Sequence, residues 1–191
     1  MKTKGAEANF SEPTISTRPI FQGKFISLQV DTVQLPDGNT ATREIVKHPG
    51  AVAILALTDG RGKMLVVEQF RKPLEKHQVE IPAGKLEPGE EPLSAAMREL
   101  EEETGFRAGK LTLIHSFSTS PGFADEVVHL YLAEDLEQGQ VNLDEGEFLT
   151  CESISLEQAW QYVREGRISD AKTILAVYAW ERLLHTGSLP E

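Results

Sequence analysis

Three carboxylates crowd one short stretch near the middle of the chain and restrict what that stretch can form. Glu99, Glu102 and Glu103 fall within five consecutive residues. We predict a helix over residues 92–104, because a proline suits its first position and a glycine follows its end. Like charges three or four residues apart on a helix repel each other. The cluster must therefore be either fully solvated or bound to cations.

The geometry of the predicted helix decides which glutamates converge. At about 100° per residue, Glu99, Glu102 and Glu103 lie at roughly 240°, 180° and 280° from Leu93 and form one patch. Glu101 lies near 80°, on the other flank, so we predict that it does not join them. The apolar stripe that should face the core holds Leu93, Ala96, Met97, Leu100 and Thr104.

Two features favour a metal site over a solvated face, which is the commoner explanation of an acidic run. The carboxylates lie near the end of the helix that carries the negative dipole, where they destabilise it most. A glycine-containing loop precedes the helix and would let the backbone carbonyl of Ala83 approach the same point. Mg²⁺ takes oxygen ligands and only one or two carboxylates per ion. Three glutamates and a carbonyl therefore suit two or more Mg²⁺ ions, with Mn²⁺ as the alternative.

Composition narrows the partners of the protein. The 191 residues carry a formal net charge of −11, which disfavours binding to nucleic acid or to an anionic membrane. The single cysteine, Cys151, excludes an intrachain disulfide, and we expect it to be a small buried residue rather than a nucleophile. No apolar run suggests a membrane span or a signal peptide. We therefore expect a cytoplasmic protein.

Hydrophobic periodicity predicts strands before, between and after helices. Residues 25–48 read as a hairpin around a turn, and the continuous apolar run at residues 51–57 is typical of a strand buried on both faces. Further strands are predicted at residues 64–70, 111–117 and 127–133, an acidic loop at 134–147, and helices that begin near Ser155 and Asp170.

This order of elements predicts a mixed sheet covered by helices. We expect a mobile N-terminus at residues 1–14 and a small β region at residues 15–48. Residues 49–191 form the main domain. A small β appendage of this kind often pairs with another subunit, so we predict a homodimer.

The central stretch resembles the signature of the Nudix hydrolases. That signature reads Gly, five residues, Glu, seven residues, then Arg-Glu-apolar-any-Glu-Glu-any-Gly-apolar. The matching residues, without a departure, are Gly84, Glu90, Arg98, Glu99, Leu100, Glu102, Glu103, Gly105 and Phe106. The resemblance implies an α/β/α sandwich and hydrolysis of a nucleoside diphosphate linked to another group.

The resemblance also implies a role for each polar residue of the signature. Glu90 and Arg98 would pair and brace the loop against the helix, which fits the bidentate fork that an arginine offers to a carboxylate. Glu99 and Glu103 would bind the catalytic divalent ions with help from Glu102. The implied metal ligands are therefore the carbonyl of Ala83 and the side chains of Glu99, Glu102 and Glu103.

Segments outside the signature resemble the ADP-ribose pyrophosphatase branch of this family. They comprise residues 48–52, 68–71 and 80–84, and Pro121, which lies 15 residues beyond Phe106. A proline at this spacing is characteristic of ADP-ribose enzymes. The resemblance covers residues 48–180 and, more loosely, the N-terminal hairpin.

The branch implies contacts with the substrate as well. Arg71 would meet a phosphate or the terminal ribose, and Ser120 and Glu126 would reach the substrate, either in one subunit or across a dimer. An aromatic residue of the N-terminal region would stack on the base, and Phe21 or Phe25 is available for this role.

Attack on phosphorus needs a water molecule to lose a proton. A carboxylate close to a metal-bound water can accept it, and the branch supplies that carboxylate from a loop after the last core strand. The corresponding loop holds Asp144, Glu145 and Glu147, of which Glu145 or Glu147 matches best by position. Glu102 joins them as a catalytic candidate.

These observations predict a divalent-metal-dependent hydrolase of ADP-ribose or a related nucleoside diphosphate sugar, with AMP and ribose 5-phosphate as the products from ADP-ribose. The same chemistry on GDP-mannose or another nucleotide sugar is the first alternative. A non-catalytic nucleotide-sensing module would need an effector domain, for which we expect no room in 191 residues. A simple acidic cation-binding protein would bind metal without releasing phosphate.

Overall fold

The computed structural model describes residues 10–143, 146 and 148–189. The chain divides into two compact units. Of the described residues, the first unit contains those up to Pro49 together with Ser120–Glu126, and the second contains Gly50–Thr119 and those from Val127 onward. The predicted mobility of the N-terminus falls mostly on residues 1–9, which lie outside the described residues.

The first unit is built on a three-stranded antiparallel sheet. Its strands are β1 (Thr14–Gln22), β2 (Ser27–Gln34) and β3 (Thr40–Lys47), in that spatial order. The predicted hairpin is confirmed as β2 and β3. The edge strand β1 was not predicted, and every one of its residues is exposed.

The second unit is built on a seven-stranded mixed sheet. Its strands are β4 (Ala51–Thr58), β5 (Lys63–Arg71), β6 (Lys76–Glu80), β7 (Ala83–Lys85), β8 (Phe106–Ser118), β9 (Val127–Gln138) and β10 (Leu149–Ile154). Their spatial order is β10-β5-β4-β9-β8, with β6 paired to β5 and β7 paired to β4. Strands β4 and β9 run parallel, and the other pairs are antiparallel.

Strands β4 and β5 diverge, and the chain between them fills the gap. Within the described structure they pair only at their joined ends, where Leu57 faces Met64. Further along, β6 follows β5 as far as Glu80, and β7 joins β4 at Ala83. The chain between Glu80 and Ala83 thus crosses from one strand to the other. At Ala83 it meets the helix formed by residues 92–104.

Among the described residues, three helices cover the two faces of the sheet. Helix α1 (Pro92–Thr104) covers one face, and helices α2 (Leu156–Arg164) and α3 (Ala171–Thr186) pack on the other around the buried Trp180. Short 3₁₀ turns occupy Asp59–Arg61 and Lys72–Leu74. The predicted α/β/α sandwich with a separate N-terminal sheet is confirmed. No helix in the described part of the chain is long and apolar enough to cross a membrane.

Two details of the predicted fold were wrong. The stretch from Glu134 to Gln138 belongs to β9 rather than to an acidic loop, because these residues pair with the start of β8 and Glu134 lies opposite Lys110. In α1, Leu93 and Met97 are exposed. The buried positions of that helix are Ala95, Ala96, Leu100, Glu103 and Thr104.

Candidate active site

Helix α1 begins and ends where the sequence predicts. Pro92 occupies its first turn, and Gly105 follows it in the left-handed conformation, with φ of 73°. The N–H group of Gly105 donates to the carbonyl of Glu101 at 2.8 Å. This termination fixes the last turn, which carries the acidic cluster.

Arg98 connects the loop before α1 to the carboxylates of the helix. Its Nε and Nη2 donate to the two oxygens of Glu90, each at 2.9 Å. Its Nη1 donates to Glu99 at 2.7 Å and to Glu102 at 3.0 Å. The hydrogen bond from Arg98 lowers the pKa of Glu90, and the same bond raises the pKa of Arg98. Both groups therefore stay charged at neutral pH.

The carboxyl groups of Glu99 and Glu103 lie against strand β7. A Cβ atom built on Gly84 would be 1.9 Å from the carboxyl carbon of Glu99, so only glycine leaves room for that group. Glu103 is buried, with 4 % of the residue exposed. Its Oε2 accepts a hydrogen bond from the Ala83 N–H at 3.0 Å. Two of the three predicted carboxylate ligands thus lie against adjacent residues of one strand.

The fourth glutamate points away from this group. Arg107 Nη2 lies 2.7 Å from Glu101 Oε1, and hydrogen bonding from Arg107 lowers the pKa of Glu101. Glu101 has no recorded bond to Arg98 among the described residues. Its placement agrees with the helical geometry drawn from the sequence.

The donor chemistry fits a hard divalent cation, since Glu99, Glu102, Glu103 and the Ala83 carbonyl all offer oxygen. Within the described residues, however, no three His, Cys, Asp or Glu side chains come together as a preformed metal-binding group. Oxygens of Glu99 and Glu102 accept from Arg98 instead. A bound cation would therefore compete with Arg98 for these carboxylates.

Arg71 lies in the same unit and forms a partly buried ion pair with Glu80. Its Nε and Nη2 donate to the two oxygens of Glu80 at 2.6 and 2.7 Å. Lys172 Nζ donates to the same carboxylate and to Asp170 Oδ1. Burial pushes the pKa of Glu80 upward, but the bonds from Arg71 and Lys172 outweigh it and the pKa is lowered. The hydrogen bond to Glu80 raises the pKa of Arg71, and the charge of Glu103 adds to this effect.

The sequence did not point to Glu80 or Lys172 as members of the site. Glu80 lies within the segment 80–84 that resembles the ADP-ribose branch, and this was the only available signal. Lys172 is the second residue of α3, two positions after the capping Asp170, a position with no recognisable pattern. Only the fold brings the start of α3 to the end of β6.

The remaining predicted substrate contacts belong to the first unit. Phe21 is exposed on β1, and Phe25, its alternative, makes an edge contact with His48. The backbone carbonyl of Ser120 accepts from two N–H groups of its own loop. The carboxylate of Glu126 lies 3.5 Å from His48 Nδ1. Roles for these residues stay predictions.

The predicted bases lie outside the described residues. This applies to Glu145 and Glu147, as well as to the neighbouring Asp144. The described part of the same loop runs past the end of α1, where Asn142 N–H donates to the Glu102 carbonyl at 3.1 Å. The base assignment stays a prediction.

The environment of Cys151 differs from the predicted one. It keeps part of its surface exposed rather than being buried. Desolvation of the thiol, followed by the charges of Glu103 and Glu152, raises its pKa to about 11. The thiol is therefore protonated at neutral pH and is a poor nucleophile.

A cavity of about 1080 Å³ opens at the other end of β4. The turn between β4 and β5, the end of α1 and part of β10 line it. None of the described site residues predicted from the sequence is among its lining residues. The cavity is therefore not formed by the acidic cluster or by Arg71.

Comparison with protein families identifies the class of this chain. Residues 47–177 match the model of the NUDIX domain, and residues 12–46 match that of the nucleoside diphosphate sugar hydrolase N-terminal domain. The protein belongs to the Nudix hydrolase family. The resemblance seen in the signature residues is thereby confirmed.

Individual relatives cover most of the chain. The ADP-ribose pyrophosphatase of Bacillus subtilis (strain 168) is 56% identical over 171 residues, which are 88% of this chain and 92% of that protein. The methanol dehydrogenase activator of Bacillus methanolicus is 54% identical over 170 residues, 88% and 91% of the two chains. A crystal structure of an ADP compounds hydrolase superposes with a TM-score of 0.82 at 20% identity, covering 95% of this chain and 98% of the other. This last likeness shows the fold.

Proposed function

We propose that the protein hydrolyses the diphosphate bond of ADP-ribose or a related nucleoside diphosphate sugar, and that ADP-ribose yields AMP and ribose 5-phosphate. The complete Nudix signature carries this proposal. Its Arg98 bonds to Glu99 and Glu102, and the carboxyl groups of Glu99 and Glu103 lie against β7. The 56% identity to an ADP-ribose pyrophosphatase supports the choice of substrate class.

The proposed cofactor is Mg²⁺, with Mn²⁺ as the alternative, in two or more sites. Glu99, Glu102 and Glu103 would hold it together with the carbonyl of Ala83, since all four groups offer oxygen. When bound, such ions neutralise diphosphate charge and lower the pKa of water. The bidentate pair of Glu90 and Arg98 would keep the preceding loop against α1 while the carboxylates change partners.

Other residues of this chain would supply the remaining steps. Glu145 or Glu147 is the proposed general base that takes a proton from the attacking water. Arg71 would contact a phosphate or the terminal ribose. Its guanidinium is held in a fixed plane by Glu80, which suits recognition of an anion. For Ser120, Glu126 and Phe21, the proposed contacts with the substrate rest on the family resemblance alone.

We further propose a homodimer that forms through the N-terminal sheet. Strand β1 is nine residues long, forms an edge of its sheet and is exposed throughout. Long exposed edge strands readily pair with another chain. Residues 15–48 would then serve dimerisation and residues 49–191 catalysis, a division supported by the two family matches, which meet between residues 46 and 47.

A second candidate function is activation of a partner enzyme. The relative named methanol dehydrogenase activator is nearly as similar to this chain as the pyrophosphatase. The two candidates separate experimentally, because activation of a dehydrogenase without hydrolysis of any nucleotide would favour the second.

A phosphate-release screen tests the proposed function. The protein is incubated with ADP-ribose, GDP-mannose and other nucleoside diphosphate sugars, with and without Mg²⁺, and an added phosphatase releases phosphate from the monoester products. We expect Mg²⁺-dependent release that is highest with ADP-ribose or a close relative of it. Absence of release from every nucleotide sugar would overturn the proposal, and a maximum with GDP-mannose would favour the alternative substrate.

A further inference from the structure

The carboxylate of Glu80 is shared between two cations next to the proposed active site. Glu80 is 2 % exposed, and it accepts two hydrogen bonds from Arg71. Lys172, whose side chain is 16 % exposed, donates to Oε2 of the same carboxylate. A buried carboxylate is stable only when it is fully paired, and Glu80 meets this condition through both partners.

The pairing with Glu80 fixes the orientation of the Arg71 guanidinium group. Two of its donor groups, Nε and Nη2, face Glu80, so the plane of the guanidinium is set by a bidentate pair. Arg71 is also the most exposed member of the group, with 38 % of its side chain accessible. Its remaining donors are therefore the part of the network that can meet a ligand.

Lys172 changes the electrostatics of this pair. Arg71 and Glu80 alone would cancel, and the nearby charges of Glu103 and Asp170 would leave the surroundings negative, which is unfavourable for a diphosphate. With Lys172 bonded to Glu80 and Asp170, the positive charge of Arg71 is less compensated by its own partner.

The same helix turn supports the chain that carries the proposed ligand Ala83. Thr173 Oγ1 accepts from the N–H of Ile81 at 3.0 Å, in a buried hydrogen bond between α3 and the chain that crosses to β7. The start of α3 therefore touches the site at two neighbouring points, one through charge and one through the backbone.

We infer that Lys172 is a positioning residue of the active site, which acts through Glu80 to orient Arg71 and to keep its charge available for the diphosphate of the substrate. This inference rests on the proposed function. It does not require Lys172 to touch the substrate.

The test is a double-mutant cycle on Arg71→Met and Lys172→Met, with kcat and KM measured for the best nucleotide sugar of the screen. If Arg71 binds the diphosphate equally before and during reaction, Lys172→Met should raise KM about three- to tenfold with little change in kcat. In the Arg71→Met background the second change should add little to KM, because the residue through which Lys172 acts is gone. Lys172→Arg should restore most of the wild-type KM.

Lys76→Met is the matched control. This substitution also removes one positive charge. The native Lys76 contacts the segment before α3, through Gly166 and Ser169, but it does not bond to Glu80. We expect its KM to stay near the wild-type value, and thermal unfolding is measured to check that each variant is folded. An unchanged KM in Lys172→Met, or equal and additive effects in both backgrounds, would overturn this inference alone. A wild-type protein that hydrolyses no nucleotide sugar would overturn the proposed function and the inference with it.

Discussion

At the scale of single residues, the contact between Gly84 and Glu99 links the signature to the geometry of the site. The carboxyl group of Glu99 fills the space that a side chain at position 84 would occupy. A glycine at this position therefore serves close approach, not a turn, because no positive φ is recorded for Gly84. The identity of residue 84 decides where a proposed metal ligand can lie.

Gly84→Ala should separate activity from stability. The new Cβ would displace the end of a flexible side chain, so we expect a loss of about 1 kcal/mol or less, or about 2–4 °C in Tm. A misplaced ligand can cost about 100-fold in rate, and we expect a fall of this order in kcat. Gly62→Ala, at an ordinary φ of −75°, is the control. Normal turnover in Gly84→Ala would contradict this role of the glycine.

The proposed base can be located by three isosteric changes in one loop. Removal of a general base typically costs about 10²–10⁴-fold in rate. We therefore expect either Glu145→Gln or Glu147→Gln to lower kcat by this amount, while Asp144→Asn serves as a control with the same charge change. If all three variants keep the wild-type kcat, the base lies elsewhere, and Glu102 becomes the next candidate.

The positions of individual side chains were predictable where the backbone is regular. Helical spacing separated Glu101 from Glu99, because successive residues of α1 are rotated by the same angle, about 100°, around the helix axis. The same spacing failed for Leu93, which is exposed, since spacing cannot tell which side of a helix meets the sheet. Lys172 could not be found from sequence because its partner Glu80 is far away along the chain.

At the scale of elements, helix ends were predictable because particular residues mark them. Ser155 Oγ accepts from the N–H of Gln158 at 3.2 Å and begins α2, as its capping pattern predicts. Gly105 and Gly187 end α1 and α3 with φ of 73°. These signals are local, so they do not depend on the tertiary fold.

Ser155→Ala should destabilise the protein without affecting turnover. Loss of an N-cap hydroxyl costs about 1 kcal/mol, which corresponds to a fall in Tm of about 2–4 °C. The exposed Ser153 on β10 provides the control, because Ser153→Ala removes a hydroxyl outside any cap. A Tm equal to that of the wild type would show that the cap does not stabilise α2.

Strand edges were less predictable than helix ends. Strand β1 is exposed and contains Pro19, so neither alternation nor apolar content marks it. Strand β9 continues through acidic residues that sequence alone suggests are a loop. These residues pair with the start of β8, where Glu137 lies opposite Arg107 and Glu134 opposite Lys110. Such cross-strand pairing is visible only in the register.

At the scale of the whole molecule, the two family matches divide the chain into two regions, and we propose that the first serves assembly and the second chemistry. The N-terminal match covers the three-stranded sheet, and the larger match covers the seven-stranded sheet with its helices. Substitutions in the first region should therefore change assembly and leave the fold of the second region intact.

A paired substitution tests the proposed dimer. Ile20 on β1 and Leu184 on α3 are equally exposed, at 44% and 45%. We expect the wild type to elute with the mass of two chains in light-scattering chromatography, Ile20→Glu to shift toward one chain, and Leu184→Glu to remain a dimer. A monomeric wild type, or dissociation caused by Leu184→Glu alone, would contradict assembly through β1.

The proposed hydrolysis depends on the acidic face of α1 acting in catalysis. The most direct measurement is kcat at saturating Mg²⁺ for Glu103→Gln and Glu101→Gln, on the best nucleotide sugar. We predict that Glu103→Gln lowers kcat by about 100-fold or more, the scale seen when one charge-stabilising group is removed. Its thermal unfolding should stay close to wild type, and Glu101→Gln should stay within about twofold in rate. A near-normal rate for Glu103→Gln would show that Glu103 is not a catalytic metal ligand.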